Sequence, residues 1–296
     1  MDPQLCFVYG TAWKKVATAD LVHQAIRAGF RIIDMAAQPR HYREDLVGEG
    51  MRAAIIAGDV QRSDLLIQTK FTWTSGQDHK TIPFNPDASI PLQVRQSVAS
   101  SLYNLRSRDN PESVNEAYID CLLLHFPLPT LNQTLQVWTA LQKFVPSKIR
   151  TLGICNTSLP VLQALFRAKS VTLKPSVVQN RFHAETSYDW DIREFCAKEN
   201  VIYQGFGVLK SNKWLLSTQP VIKLAEEINT TLEIALFLLI SEYPNFQILN
   251  GTGDENRMET DLKLLQQFKE WKVISHNSDM TSLLHHQFSA VLMAGH

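Results

Sequence analysis

Residues 30–42, FRIIDMAAQPRHY, begin as a buried strand and end in polar side chains. Phe30 to Ile33 are mostly bulky and apolar, which is typical of a strand inside a parallel sheet. Asp34 follows where that strand should end, and the loop beyond it reaches a histidine beside a tyrosine, His41 and Tyr42. An acid at the end of an apolar strand, close in sequence to two possible proton donors, raises the question of which residues end the other strands.

Seven further short apolar runs are strand candidates. They are LCFVYGT (5–11), LLIQTKF (65–71), YIDCLLLH (118–125), IRTLGICN (149–156), SVVQNRF (176–182), VIYQGFG (201–207) and FQILNGT (246–252). Segments with helical periodicity separate nearly all of them, which predicts parallel strands joined by crossover helices. Eight such strands close a barrel. The sequence therefore predicts the α/β class, as a (β/α)8 TIM barrel that forms a single domain over residues 1–296.

The alternative fold is an open doubly wound sheet, but no Gly-x-Gly-x-x-Gly follows the first strand. Twenty-nine basic residues balance twenty-nine acidic ones, so no net charge favours nucleic acid or an anionic membrane. The four cysteines form no Cys-x-x-Cys pair, and we expect neither a metal site nor a disulfide framework. Without a secretory signal or a membrane-spanning run, the expected location is the cytoplasm.

Five of the predicted strands end in a polar residue. The five residues are Asp34, Lys70, His125, Asn156 and Gln179. One such residue could be a hydrogen-bonded core group, but the carboxyl ends of barrel strands meet at one rim, where the chemistry of this fold is located. The sequence therefore predicts an active site built from these strand ends.

The residue types at this rim suit proton transfer to a carbonyl oxygen. A phenol is a weak acid at neutral pH, and a nearby ammonium stabilises its phenolate. We therefore expect Asp34 to hold Lys70, Lys70 to lower the pKa of Tyr42, and His125 to orient a carbonyl oxygen beside the tyrosine.

Several motifs resemble those of the aldo-keto reductase family. YIDCLLLHFP (118–127) is similar to the family's Tyr-x-Asp-Leu-x-x-x-His-x-Pro signature, and LIQTK (66–70) resembles the strand that carries its lysine. Asp34 and Tyr42, followed by Glu44, Val47 and Gly48, resemble the segment that carries its tyrosine. RTLGICN, PSVVQN and VIYQGFG resemble its three nicotinamide-binding strands.

The resemblance implies hydride transfer between NADPH, with NADH possible, and a small aldehyde or ketone. It implies the catalytic residues Asp34, Tyr42, Lys70 and His125. It also implies the cofactor-binding residues Thr11, Asn156, Gln179, Phe206, Val208, Lys210, Thr252, Arg257 and Asp261. A monomer is the favoured oligomeric state.

Two departures from the family pattern affect this reading. When residues are counted back from Glu44, His41 falls at the position of the family's proton donor. We nevertheless assign Tyr42 as the proton donor, because the lysine can stabilise the phenolate of a tyrosine. In NGTGDENR (250–257), Asn250 or Gly251 replaces the lysine that usually holds the 2′-phosphate, Thr252 replaces the serine, and the arginine remains as Arg257. Either Arg257 and Lys210 suffice to hold the phosphate, or the altered site weakens cofactor binding or serves a redox-neutral reaction.

The two ends of the predicted substrate region also differ from the family. The loop after the third strand, residues 72–91, is long, and the chain ends soon after the helix at 255–268. Both features favour a bulky substrate such as a secondary metabolite. We expect His285 and His286 to be solvated residues of a short tail.

Two other functions remain open. The same acid-base residues could serve a redox-neutral isomerase, dehydratase or cyclase. A non-catalytic binding subunit on the same barrel is a third possibility, which the complete set of four catalytic residue types disfavours.

Overall fold

The structure is a computed structural model that describes residues 6–294. Residues 1–5 and 295–296 of the predicted domain, including Leu5 of the first predicted strand, lie outside the described residues. The strands are β1 (Phe7–Gly10), β2 (Ile32–Asp34), β3 (Leu66–Phe71), β4 (Ile119–Leu124), β5 (Ile149–Cys155), β6 (Val177–Arg181), β7 (Ile202–Phe206) and β8 (Phe246–Asn250). Within this described range they follow one another in chain order around a closed barrel. The predicted (β/α)8 barrel is confirmed.

Helices alternate with these strands. They are α1 (Thr18–Ala28), α2 (Glu44–Ala57), α3 (Ile90–Asn104), α4 (Leu131–Gln142), α5 (Leu159–Arg167), α6 (Trp190–Lys198), α7 (Val208–Ser211), α8 (Gln219–Glu227), α9 (Leu232–Ser241), α10 (Glu255–Lys272) and α11 (Ser275–Ala294). Short 3₁₀ turns lie at Lys15–Ala17, Arg62–Asp64, Thr74–Gly76, Pro111–Asn115, Ala184–Asp189 and Lys213–Ser217. None of the described helices combines the length and apolarity needed to cross a membrane.

The strand pairs whose register the structure describes are parallel, and most residues of the strands are buried. β3 is buried at every residue after Leu66, and β4 at every residue except Asp120. A parallel strand enclosed by helices on one side and by the barrel interior on the other needs such a continuous apolar run. This is why short apolar segments predicted the strands better than alternating patterns would have done.

The contacts of the described chain fall into two compact units. One unit is Val8–Gln179, with β2 to β5 and most of β1 and β6. The other contains Cys6 and Phe7 together with the described residues from Asn180 onward. The single-domain organisation stays a prediction.

The expectation of a short solvated tail is wrong. Residues 275–294 form α11, in which Thr281, Leu284, Phe288 and Leu292 are buried. These residues recur every three or four positions and so share one helix face, a pattern that the polar residues around them obscured. His286 is exposed, but the ring of His285 lies 4.5 Å from the ring of Tyr243 and is half-buried.

Gly153 in β5 allows the strands on either side to approach closely. A Cβ atom built there would lie 2.2 Å from Leu123 Cδ2 and 2.5 Å from the backbone oxygen of Val177. Leu123 is the register partner of Gly153 in β4, and Val177 is its partner in β6. A side chain at this position would therefore push neighbouring strands apart.

We predict that Gly153→Ala lowers the free energy of unfolding by about 1–3 kcal/mol, because an overpacked interior strains its neighbours. Urea denaturation monitored by circular dichroism measures this change. Gly10→Ala is the matched control, since a Cβ at Gly10 meets no atom within 4 Å. Equal stability of the two variants would contradict the argument.

Candidate active site

A buried ion pair joins the ends of β2 and β3 in the Val8–Gln179 unit. Lys70 Nζ donates hydrogen bonds to Asp34 Oδ1 at 2.7 Å, to Asp34 Oδ2 at 2.6 Å and to the Met35 carbonyl oxygen at 2.8 Å. Both charged residues are only 1% exposed. Burial alone would lower the pKa of Lys70, but Asp34 and the Tyr42 phenol raise it above its ordinary value. Lys70 is therefore a permanently charged ammonium whose three protons are all donated.

Two side-chain amides complete the surroundings of Asp34. Gln68 Nε2 donates to Asp34 Oδ1 at 2.7 Å, and Gln179 Nε2 donates to the same oxygen at 2.9 Å. Sequence reasoning missed Gln68, although it lies two residues before Lys70 and therefore points to the same face of β3. Gln179, which the family resemblance assigned to the cofactor, is buried and bound to Asp34, and its Oε1 accepts from Cys155 Sγ at 3.7 Å.

Tyr42 is the aromatic residue that faces this ion pair. Its ring centroid lies 5.3 Å from Lys70 Nζ and 6.3 Å from the ring of His125. Burial raises the pKa of Tyr42, Lys70 opposes this rise, and Asp34 and Cys155 add to it. The net change is upward, whereas the sequence led us to expect a lowered pKa. Burial of the phenol outweighs the attraction of the neighbouring ammonium, so Tyr42 is protonated at neutral pH.

His41 is held away from this cluster by other contacts. Its Nδ1 lies 3.1 Å from Gln38 Oε1, and its ring packs against Trp13 at a tilt of 36° with 4.0 Å between centroids. Its backbone oxygen also accepts a hydrogen bond from the Trp13 N–H. Of the two residues that the sequence left as candidates for the acid, Tyr42 is thus the one that contacts the lysine.

His125 follows β4 and is paired with a residue that sequence reasoning missed. Its Nδ1 lies 2.6 Å from Thr72 Oγ1. Burial, together with the charges of Lys70 and His41, lowers the pKa of His125 to about 3. The imidazole is therefore neutral at physiological pH. Thr72 comes two residues after Lys70, so the period of a strand was the signal that could have found it.

Thr11 and Asn156 connect the ends of neighbouring strands. Thr11 Oγ1 donates to the Asp34 carbonyl oxygen at 2.8 Å and is fully buried. Asn156 has a left-handed backbone with φ of 50°, and its side-chain Nδ2 donates to the His125 carbonyl oxygen at 2.8 Å. Asn156 is exposed, so part of its amide is open to a ligand. The fully buried Thr11 contacts the backbone of Asp34 instead.

The unit that begins at Asn180 contains a cleft of about 540 Å³ between α7, α9 and the start of α10. Five residues that the resemblance assigned to the cofactor line it, namely Val208, Lys210, Thr252, Arg257 and Asp261. Phe206 ends β7 just before this segment, and the guanidinium of Arg181 lies 5.7 Å from its ring. These five residues therefore line one cleft, and their role in binding a cofactor stays a prediction.

Side chains next to the N-terminus of α10 already accept hydrogen bonds from some of the backbone N–H groups there. Asp254 Oδ1 accepts a hydrogen bond from the Arg257 N–H, and Thr252 Oγ1 accepts one from the Asp254 N–H, each at 3.2 Å. Burial raises the pKa of Asp261 to about 6, against the effect of its hydrogen bond from Asn250 and the charge of Arg257. The cleft therefore contains carboxylates as well as cations.

A family model described as the aldo/keto reductase family matches residues 9–234. The NAD(P)H-dependent D-xylose reductase I,II of Candida tropicalis is 28% identical over 198 residues, covering 58% of this chain and 53% of that protein. Methylglyoxal reductase DkgA of Escherichia coli strain K12 is 30% identical over 193 residues, covering 62% and 58%. The chain thus spans little more than half the length of these two curated relatives.

The solved aldose reductase of Schistosoma japonicum shares the fold. Its TM-score is 0.69 at 19% identity, over 98% of this chain and 93% of that chain. The family model covers well over half of the sequence, so the chain belongs to the aldo/keto reductase family.

Proposed function

We propose that this protein reduces an aldehyde or ketone to an alcohol, or catalyses the reverse reaction, with NADPH as the cofactor. The observation that carries the proposal is the buried ammonium of Lys70, fixed by Asp34 and facing the Tyr42 ring at 5.3 Å. The names of the relatives, a xylose reductase and a methylglyoxal reductase, support a carbonyl compound as the substrate. The long loop at residues 72–91 favours a bulkier carbonyl compound than those two, such as a secondary metabolite.

In this mechanism Tyr42 donates its proton to the substrate oxygen as negative charge develops there. The raised pKa of Tyr42 keeps that proton in place until the substrate arrives. The Lys70 ammonium then stabilises the phenolate that remains, in a site from which water is largely excluded. Neutral His125 donates an N–H to the same oxygen and orients the carbonyl group. NADPH, when bound, would supply the hydride.

Residues of the cleft around α10 suit the phosphate end of such a cofactor. Lys210 and Arg257 provide two cations, and the first turn of α10 has backbone N–H groups that favour anions. Asp254 already accepts one of these N–H groups, and Asp261 adds further negative charge. We therefore propose that NADPH binds here with a modest preference over NADH.

We predict that Lys70→Met abolishes reduction and lowers the free energy of unfolding by about 3–5 kcal/mol, because Asp34 is left buried without its cation. Steady-state assays at 340 nm and urea denaturation measure the two effects. The double variant Asp34→Asn, Lys70→Met is the control, which should recover stability but not activity. Near-wild-type turnover of Lys70→Met would refute the proposed role of the ammonium.

We predict that Tyr42→Phe lowers kcat by roughly 10²-fold or more, in the upper part of the range for general-acid catalysis. His41→Ala should be much milder, since His41 contacts Gln38 and Trp13 instead of the ion pair. Kinetics of both variants with one carbonyl substrate provide the comparison. If His41→Ala is the inactive variant, an imidazole transfers the proton and the assignment of Tyr42 is wrong.

We predict that Arg257→Ala weakens NADPH binding by about ten- to a hundredfold, the size of a lost charged hydrogen bond, and barely changes NADH binding. Quenching of tryptophan fluorescence during titration gives both dissociation constants. Lys263→Ala is the matched control, because Lys263 is exposed on the same helix and does not line the cleft. If neither nucleotide binds to the wild-type protein, the acid-base residues serve a redox-neutral reaction.

A further inference from the structure

Thr72 has one hydrogen-bond partner for its side chain among the described residues, and that partner is His125. Oγ1 of Thr72 and Nδ1 of His125 are 2.6 Å apart. Thr72 is fully buried, so its hydroxyl has no access to water. The hydrogen bond that the hydroxyl proton needs must therefore be made to His125.

The distance alone leaves two arrangements of the protons. Neutral imidazole has one N–H donor and one acceptor nitrogen, and a hydroxyl can take either role. If Nδ1–H donated to Oγ1, the hydroxyl proton would be buried without an acceptor, which is costly. If Oγ1–H donates to Nδ1, the hydroxyl proton is satisfied and the imidazole proton lies on Nε2.

The loop around Thr72 also fixes the rotation of its side chain. A Cβ atom built at Gly76 would lie 2.8 Å from Thr72 Cγ2, so the absence of a side chain there gives the methyl group its space. Gln77 Nε2 donates to the Thr72 carbonyl oxygen at 2.9 Å and to the Ala37 carbonyl oxygen at 2.7 Å. Gln77 holds the backbone of Thr72, and the methyl group of Thr72 packs over Gly76. These two contacts orient the Thr72 hydroxyl toward His125.

We infer that Thr72 is a positioning residue that holds His125 in the Nε2–H tautomer, so that the single N–H of this ring is the donor offered to a substrate oxygen. The use of that donor rests on the proposed carbonyl reduction. The tautomer itself follows from the contact between Thr72 and His125. The two parts of the inference can therefore be tested separately.

Nuclear magnetic resonance of protein labelled with ¹⁵N in histidine reads the tautomer without any turnover. The His125 signals are assigned by their loss in His125→Gln. We expect Nδ1 to resonate as an unprotonated nitrogen and Nε2 as a protonated one across pH 5 to 8. In Thr72→Val, which removes only the hydroxyl, we expect a measurable population protonated on Nδ1. A wild-type ring protonated on Nδ1 would overturn the inference.

Kinetics test whether the tautomer matters to the reaction. We expect Thr72→Val to lower kcat about tenfold, the effect of one hydrogen bond, with the NADPH dissociation constant unchanged. Thr72→Ser keeps the hydroxyl and should recover most of the wild-type rate and the wild-type ¹⁵N signals. Thr81→Val, at an exposed threonine of the same loop, is the control for loss of a surface hydroxyl.

The outcomes distinguish this inference from the proposed function. If Thr72→Val has the wild-type kcat, the positioning role of Thr72 is overturned, while the proposed carbonyl reduction stands. An unprotonated Nδ1 in a protein that reduces no carbonyl supports the tautomer and refutes the proposed function instead. Should Thr72→Val fail to fold, the wild-type spectrum and Thr72→Ser still decide the tautomer.

Discussion

The cost of burying a charged lysine and a charged aspartate constrains this site more than any other single interaction. An isolated charge inside an apolar barrel would be strongly unfavourable, and a buried pair is tolerated only when its remaining hydrogen bonds are satisfied. Asp34 accepts bonds from Lys70, Gln68 and Gln179, and Lys70 donates all three of its protons. These bonds require one register of β2 against β3, so the same contacts that satisfy the charges also fix the position of the ammonium.

The groups around this pair differ in how firmly they are held. Asp34 and Lys70 lie at the ends of strands, where backbone pairing determines their direction. Tyr42 lies in a loop, and that loop is anchored by His41, whose carbonyl oxygen accepts a hydrogen bond from the Trp13 N–H and whose ring lies against the Trp13 ring. His41 thus contributes by fixing the loop on which the tyrosine depends.

Sequence reasoning worked where one strong physical rule determined the outcome. Apolar runs between helical segments predicted the barrel. The rule that chemistry lies at strand ends selected Asp34 and Lys70, which the structure joins in one buried ion pair, and their catalytic role stays a prediction. It failed where the outcome depended on which of several polar side chains meet. Gln68 and Thr72 lie on the same face of the chain as Lys70, but only the packed structure determines that one binds Asp34 and the other binds His125. It also missed α11, because four buried positions among twenty residues form a weak apolar stripe.

The cleft around α10 shows how local backbone needs compete with ligand binding. A helix N-terminus attracts anions because its first N–H groups have no partners within the helix. In this chain Asp254 occupies one of those N–H groups, and Thr252 caps the N–H of Asp254 itself. A phosphate at this place would meet fewer free donors and an adjacent carboxylate, so the attraction depends on the side chains of Lys210 and Arg257. If NADPH binds here as proposed, selectivity for its 2′-phosphate would therefore rest on these two cations more than on the backbone. Such a site discriminates through charge more than through shape, and added salt should weaken that discrimination.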